Sequence, residues 1–125
     1  MAYNESPVTV PRFTLVKGVT NNWTLYIKAR GSLDALELKA TDQFVAHIRD
    51  RHTGDTIVTA NLSLGKMDEG EVKLSLTAAH IASLERDVGS KANRSYLKAH
   101  YTMIIEATTT NQGSFLIRVE DVYID

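Results

Sequence analysis

The sequence predicts an all-β protein, an antiparallel β-sandwich of about seven strands with one short helix. Three observations carry this expectation. Apolar and polar residues alternate through most of the chain, turn signals recur about every ten residues, and one segment alone shows helical spacing, too little for the crossovers of a parallel sheet.

Residues 1–12 read as an N-terminal arm and residues 13–125 as the sandwich domain. The arm holds both prolines, and its Val8 and Val10 are candidate contacts for a neighbouring subunit, with an edge strand of its own sheet or a loose tail as the equal alternative. From Arg12 to Lys17, Phe13 and Leu15 share one face. After a turn over Gly18 to Asn22, Trp23, Leu25 and Ile27 point inward and Thr24, Tyr26 and Lys28 outward. A connection follows through Leu33, Leu36 and Leu38 to Asp42. Phe44, Ala46 and Ile48 then lead into a hairpin at Asp50 to Asp55, where Gly54 suits a positive φ. The returning strand reads as continuous through Val58, Ala60, Leu62 and Leu64. A turn over Gly65 to Gly70 brings in Val72, Leu74 and Leu76, which alternate strictly with polar residues.

Thr77 is placed to cap a helix whose Ile81, Leu84 and Val88 form one apolar stripe and whose end falls at Gly89. An exposed loop follows, with Lys91 and Arg94 as candidate partner contacts. Leu97, Ala99, Tyr101, Met103, Ile105 and Ala107 form a long one-sided strand. A hairpin closing at Gly113 leads to Phe115, Ile117 and Val119. Val122 and Ile124 are out of phase with these, which predicts a bulge near Glu120 and Asp121.

Composition narrows function mainly by exclusion. The 125 residues carry 14 Lys plus Arg against 15 Asp plus Glu, a net charge of −1, and this balance disfavours nucleic acid as a partner. The absence of cysteine removes disulfides, thiolate metal sites and cysteine nucleophiles. The residues after Met1 show no basic and apolar leader pattern, and no apolar run is long enough to span a membrane, so neither secretion nor a membrane partner is expected. His47, His52, His80 and His100 lack metal-ligand spacing, and the acidic turns lack the calcium-loop pattern. No phosphate-binding loop or nucleophile elbow occurs. The expectation is a non-enzymatic protein without metal or cofactor.

The order of segments adds a resemblance. Phe13-Thr-Leu-Val-Lys-Gly18, Trp23-Thr-Leu-Tyr-Ile-Lys28, Phe44-Val-Ala-His-Ile-Arg-Asp50, His52-Thr-Gly-Asp55, Gly70-Glu-Val-Lys-Leu-Ser-Leu-Thr77, Tyr101-Thr-Met-Ile-Ile-Glu106 and Phe115-Leu-Ile-Arg118 resemble the small immunoglobulin-like β-sandwich proteins of tailed bacteriophages, including the N-terminal domain of upper baseplate proteins. The resemblance covers residues 13–125. It departs from the family in the connection from Gly31 to Thr41 and in the segment from Val88 to Ser95, which makes Leu36 and Leu38, with Lys91 and Arg94, candidate partner contacts. It implies an immunoglobulin-like sandwich and a virion structural component of the tail, baseplate or tail adaptor, made in the host cytoplasm and packed in repeated copies among other virion proteins. A capsid decoration or head-fibre base protein is the close alternative. A carbohydrate-binding module is the rival from another class, and the core phase of Trp23, the single tryptophan, counts against it.

Overall fold

A computed structural model describes residues 8–9, 13–29, 31–50, 53–90 and 101–124. The strands are β1 (Val8–Thr9), β2 (Phe13–Leu15), β3 (Asn21–Ile27), β4 (Gln43–Asp50), β5 (Thr56–Asn61), β6 (Ser63–Leu64), β7 (Glu71–Leu76), β8 (Tyr101–Thr109) and β9 (Gly113–Ile124), with helix α1 (Ala78–Ser90) between β7 and β8. They form two sheets, ordered β1-β3-β7-β6 and β2-β9-β8-β4-β5. In immunoglobulin lettering these are A-B-E-D and A′-G-F-C-C′, so the chain is an immunoglobulin-like sandwich.

Among the described residues the strand count rises to nine, because two stretches each contribute a strand to both sheets. β1 pairs with β3, whereas β2 lies along β9 in the other sheet. A direction antiparallel to β3 is parallel to β9, so this one pairing departs from the antiparallel expectation. Val8 therefore lies on an edge strand of its own sheet, opposite Ile27, and the sandwich takes in part of the expected arm. Likewise the run through Ala60, Leu62 and Leu64 is not one strand. β5 pairs with β4, and after Leu62 the chain crosses to pair β6 with β7. Both sheets face the same core, so the crossing leaves the alternation of side chains intact.

Between the sheets lie Leu25, Ile27, Phe44, Ile48, Leu74, Leu76, Met103 and Ile105, all essentially without solvent contact. The expected bulge is present in β9. Met103 stands opposite Val119 but Tyr101 opposite Val122, so β9 spends three steps where β8 spends two.

Helix α1 closes the flank where short β6 leaves the sandwich open, packing against β5 and β7 and burying Ile81 and Leu84 completely. Its cap is reciprocal. The His80 N–H donates to Thr77 Oγ1 (3.2 Å) and the Thr77 N–H to His80 Nδ1 (3.1 Å), a capping box in which histidine replaces the usual Glu or Gln. The C-terminal half of α1 is tied to the sheet by Tyr101, whose hydroxyl donates towards Leu84 O (3.2 Å) and Asp87 Oδ2 (2.7 Å). A tyrosine at the start of strand F bonding back to the E–F connection stands where immunoglobulin domains have their tyrosine corner, although its partners here lie 17 and 14 residues upstream, on a helix, rather than a few residues back. Two residues on, where antibody domains place the second half of their cystine, stands Met103.

Burial, and then the Asp87 carboxylate, push the Tyr101 phenol far above its ordinary value of 10.0. A raised acid of this kind stabilises the fold fully below the unfolded value and loses that contribution as pH rises past it. Tyr101→Phe is therefore expected to cost about 1.5–3 kcal/mol in urea unfolding at pH 7. The same variant is expected to show a shallower fall in stability than the parent above about pH 10, where the free phenol ionises.

Candidate functional site

One end of the sandwich gathers the β3–β4, β6–β7 and β8–β9 connections. Leaving β3, the chain makes a tight hairpin, with Lys28 bridged to Ala35. The Ala29 N–H donates to Asp34 O (2.8 Å), the Ser32 N–H to Ala29 O (3.0 Å) and the Asp34 N–H to Ser32 Oγ (2.9 Å). Gly31, at φ 73°, turns the tip. Leu33 stands on that tip with 88% of its surface in solvent, the most exposed large apolar residue among the described ones.

The returning chain is strapped across the end of the core. The Leu36 N–H donates to Ile27 O and the Leu38 N–H to Met67 O, both at 2.9 Å. Asp42 fastens the strap to the β8–β9 turn. Its Oδ1 accepts from the Thr110 N–H (2.9 Å) and hydroxyl (3.2 Å), and its Oδ2 from the Lys39 N–H (2.9 Å). Asn111 adds a bond from Nδ2 to Glu37 O (2.9 Å).

The β6–β7 turn closes beside the strap through one 3-10 turn, Met67–Glu69, ended by Gly70 at φ 68°. The Ile27 N–H donates to Gly70 O (2.8 Å). A Cβ on Gly70 would collide with the Ile27 carbonyl oxygen, so both the backbone angle and the close approach require glycine. Glu71 organises the outer side of this turn. Its Oε1 accepts from the Lys66 N–H (3.0 Å) and its Oε2 from the Tyr26 hydroxyl (3.2 Å). The carboxylate occupies the space a side chain on Gly65 would need. The Lys66 amide first, and the Tyr26 hydroxyl after it, hold the Glu71 carboxyl below its ordinary value, while the same hydrogen bond raises the Tyr26 phenol.

Three of the five exposed large apolar residues among the described ones, Tyr26, Leu33 and Met67, belong to this end. The other two, Val16 and Val19, lie on the opposite end beside the Asn21 side chain, which brackets their turn.

Of the six contacts expected from sequence, three, Val8, Leu36 and Leu38, lie among the described residues. Leu36 and Leu38 are 2% and 3% exposed, because the strap turns them into the core, so their side chains are not presented to a partner. Val8 is on edge strand β1. Val10, Lys91 and Arg94 lie outside the described residues. The exposure of Leu33 was not anticipated from sequence, although an apolar side chain between Ser32 and Asp34, two residues after a turn glycine, was a signal for it.

Other chemistry is sparse. His47 lies between Thr59 and Glu106 on the outer face of its sheet, Nδ1 3.3 Å from Thr59 Oγ1 and Nε2 3.2 Å from Glu106 Oε1. The neighbouring backbone amides belong to the β4, β5 and β8 ladders, so none converges there on a developing oxyanion, and the histidine serves as a cross-strand bridge. Among the described residues no group of three or more His, Asp or Glu could hold a metal ion. No helix among them is long and apolar enough to cross a membrane. The models of known protein families give no match to this chain, and no curated protein sequence matches it.

Two predictions test how this end is built. Gly70→Ala is expected to cost at least about 1–2 kcal/mol from the left-handed angle alone, with more from the collision with Ile27, as a lowered urea midpoint. For Glu71, a folded value below the ordinary 4.5 means stability present above that pH and lost as pH falls through the folded value. Glu71→Gln should therefore show a flatter decline than the parent when unfolding is followed from pH 5 to pH 3.

Proposed function

We propose that this chain is a non-enzymatic structural component of a tailed-bacteriophage virion, in the tail, baseplate or tail adaptor, acting through protein–protein contacts at the Leu33 end of the sandwich. The observation that carries the contact surface is Leu33 itself. A leucine 88% exposed on a hairpin tip keeps apolar surface in water with no compensating contact in the free chain. Because the tip is hydrogen-bonded on both sides, inserting it into an apolar pocket orders little new backbone, which is what a rigid binding element gains over a flexible one. Tyr26 and Met67 extend the apolar area, and Glu71, Lys66 and Glu69 surround it with charge, an apolar centre with a polar rim.

The phage setting is supported by the strand-and-turn resemblance together with the immunoglobulin-like strand order. The carbohydrate-binding rival draws little support, since among the described residues Tyr26 is the one aromatic in the exposed large apolar set and Trp23 packs against the core.

Immunogold labelling of virions with an antibody to this chain tests the setting, and decoration of the tail or baseplate is the expected result. Label on the head would move the protein to a decoration role, and no label on any particle would overturn the reading. With folding checked by circular dichroism, Leu33→Glu should reduce incorporation into particles at least about tenfold. Undiminished incorporation would remove Leu33 from the contact.

A further inference from the structure

Among the described residues each sheet has two edges, and three of the four edge strands are very short. β1 and β6 bound one sheet with two residues each, and β2 bounds the other with three. The fourth, β5, runs for six residues, Thr56–Asn61, with no charge and no proline among them. Sheet edges are commonly kept from pairing with another chain by shortness, lysine or proline, and β5 lacks all three. The ladder shows which of its backbone groups are free. The Leu62 N–H donates to Phe44 O (2.9 Å), and the register runs from Val45 opposite Asn61 to Ile48 opposite Val58. Bonded and non-bonded pairs alternate along an antiparallel ladder, so Leu62, Ala60 and Val58 turn their N–H and C=O groups to β4, while those of Thr59 and Asn61 point to the open side. Both residues are exposed, and among the described residues no strand pairs with this side of β5.

We propose that β5 pairs antiparallel with β5 of a second copy of the chain, joining the two five-stranded sheets edge to edge about a two-fold axis at Ala60. A row of main-chain donors and acceptors is matched by the main chain of another strand, and the free run fixes the register. Towards Thr56 it ends at a bulge, where β5 spends two steps, Val58 to Thr56, against one on β4, Ile48 to Arg49. Past Asn61 the chain leaves through Leu62 for β6 and the other sheet. Thr59 and Asn61 alone lie between these limits with groups on the open side. A two-fold axis perpendicular to the sheet through Ala60 sets Thr59 opposite Asn61 of the second copy, and Asn61 opposite its Thr59. Each pair exchanges both of its N–H···O bonds, so all the free groups of the run are used. An axis at Thr59 would bring Asn61 onto the bulge, and one at Asn61 would set Thr59 against Ser63, which belongs to the other sheet.

The side chains agree with this register. The axis keeps each face on its own side, so the polar Thr59 and Asn61 meet on the outer face. On the core side Ala60 meets its own counterpart, and Val58 of each copy comes opposite Leu62 of the other, so the buried row stays apolar across the junction. A two-fold axis carries every charge beside it to a counterpart of like sign, and the strand from Thr56 to Gly65 carries none. The contact is almost wholly main-chain and buries little apolar area, which puts it at the weak end of protein interfaces. It goes beyond the proposed virion role and does not depend on it, since it concerns the purified chain alone.

Amide exchange reads the pairing directly. The Thr59 and Asn61 N–H groups should exchange at least about threefold more slowly at about 1 mM protein than at about 10 μM, while the Ala60 N–H, bonded to β4 in either state, should hold its rate. Sedimentation equilibrium over the same range should show a monomer–dimer equilibrium. Asn61→Pro removes a donor that the free chain does not use and should weaken association at least about tenfold. The full chain contains no cysteine, so introduced ones report proximity without background. A mixture of Thr59→Cys and Asn61→Cys chains should form a disulfide-linked dimer under mild oxidation faster than either variant alone. Thr24→Cys, exposed on the outer face of the other sheet, should link with neither. Thermal melts confirm folding, and the cysteine comparison stands even where the proline variant unfolds. A parent monomeric throughout, with no slowing at Thr59 or Asn61, overturns the proposal and leaves the edge to an extended segment of a different protein. Association in which the mixed cysteines link no faster than either alone, or which a folded Asn61→Pro leaves intact, overturns the β5 pairing.

Discussion

Apolar packing between two sheets, with no covalent tie, is the constraint on which the rest of this structure depends. An antibody domain spans its sandwich with a cystine beside the tyrosine corner. Here Met103 stands at that place, facing a core that includes Leu25 and Ile27 of the opposite sheet. A cystine limits the unfolded ensemble, whereas a methionine contributes only through area removed from water and close contact in the folded state. Every route by which water could enter between the sheets must therefore be closed by side chains. That explains why α1 covers the flank beside β5 and β7, why Leu36 and Leu38 are folded over one end, and why Tyr101 is hydrogen-bonded to the helix carrying Ile81 and Leu84.

The closed core also governs where function has room to operate. Side chains of both sheets fill the interior, which leaves the ends and outer faces as the surfaces open to a partner. The Leu33 hairpin gains rigidity from the same bonds that seal the core. Ile27, for example, accepts from Leu36 and donates to Gly70 while its side chain is buried among the core residues. A single residue thus joins the packing of the sandwich to the placement of the exposed tip, and a partner bound at the tip would be held by the whole domain.

Much of the fold was legible because period-two alternation reports which side of a strand faces the core. Val72, Leu74 and Leu76 read correctly from sequence, as did the β9 bulge, since one extra residue in the strand is what brings Val119 and Val122 into a common register with β8. Alternation reports an inside, however, and does not say which sheet provides it. Leu62 to Leu64 crosses between sheets without any change of phase, so the split of that run into β5 and β6 left no mark in the sequence. The site was less legible. Leu36 and Leu38 sit in a connection, and connections are presumed exposed, yet backbone bonds to Ile27 and Met67 turn both inward. Met67 lies far along the chain from Leu38, as does Thr110 from the Asp42 that it holds, and local pattern has no access to such contacts.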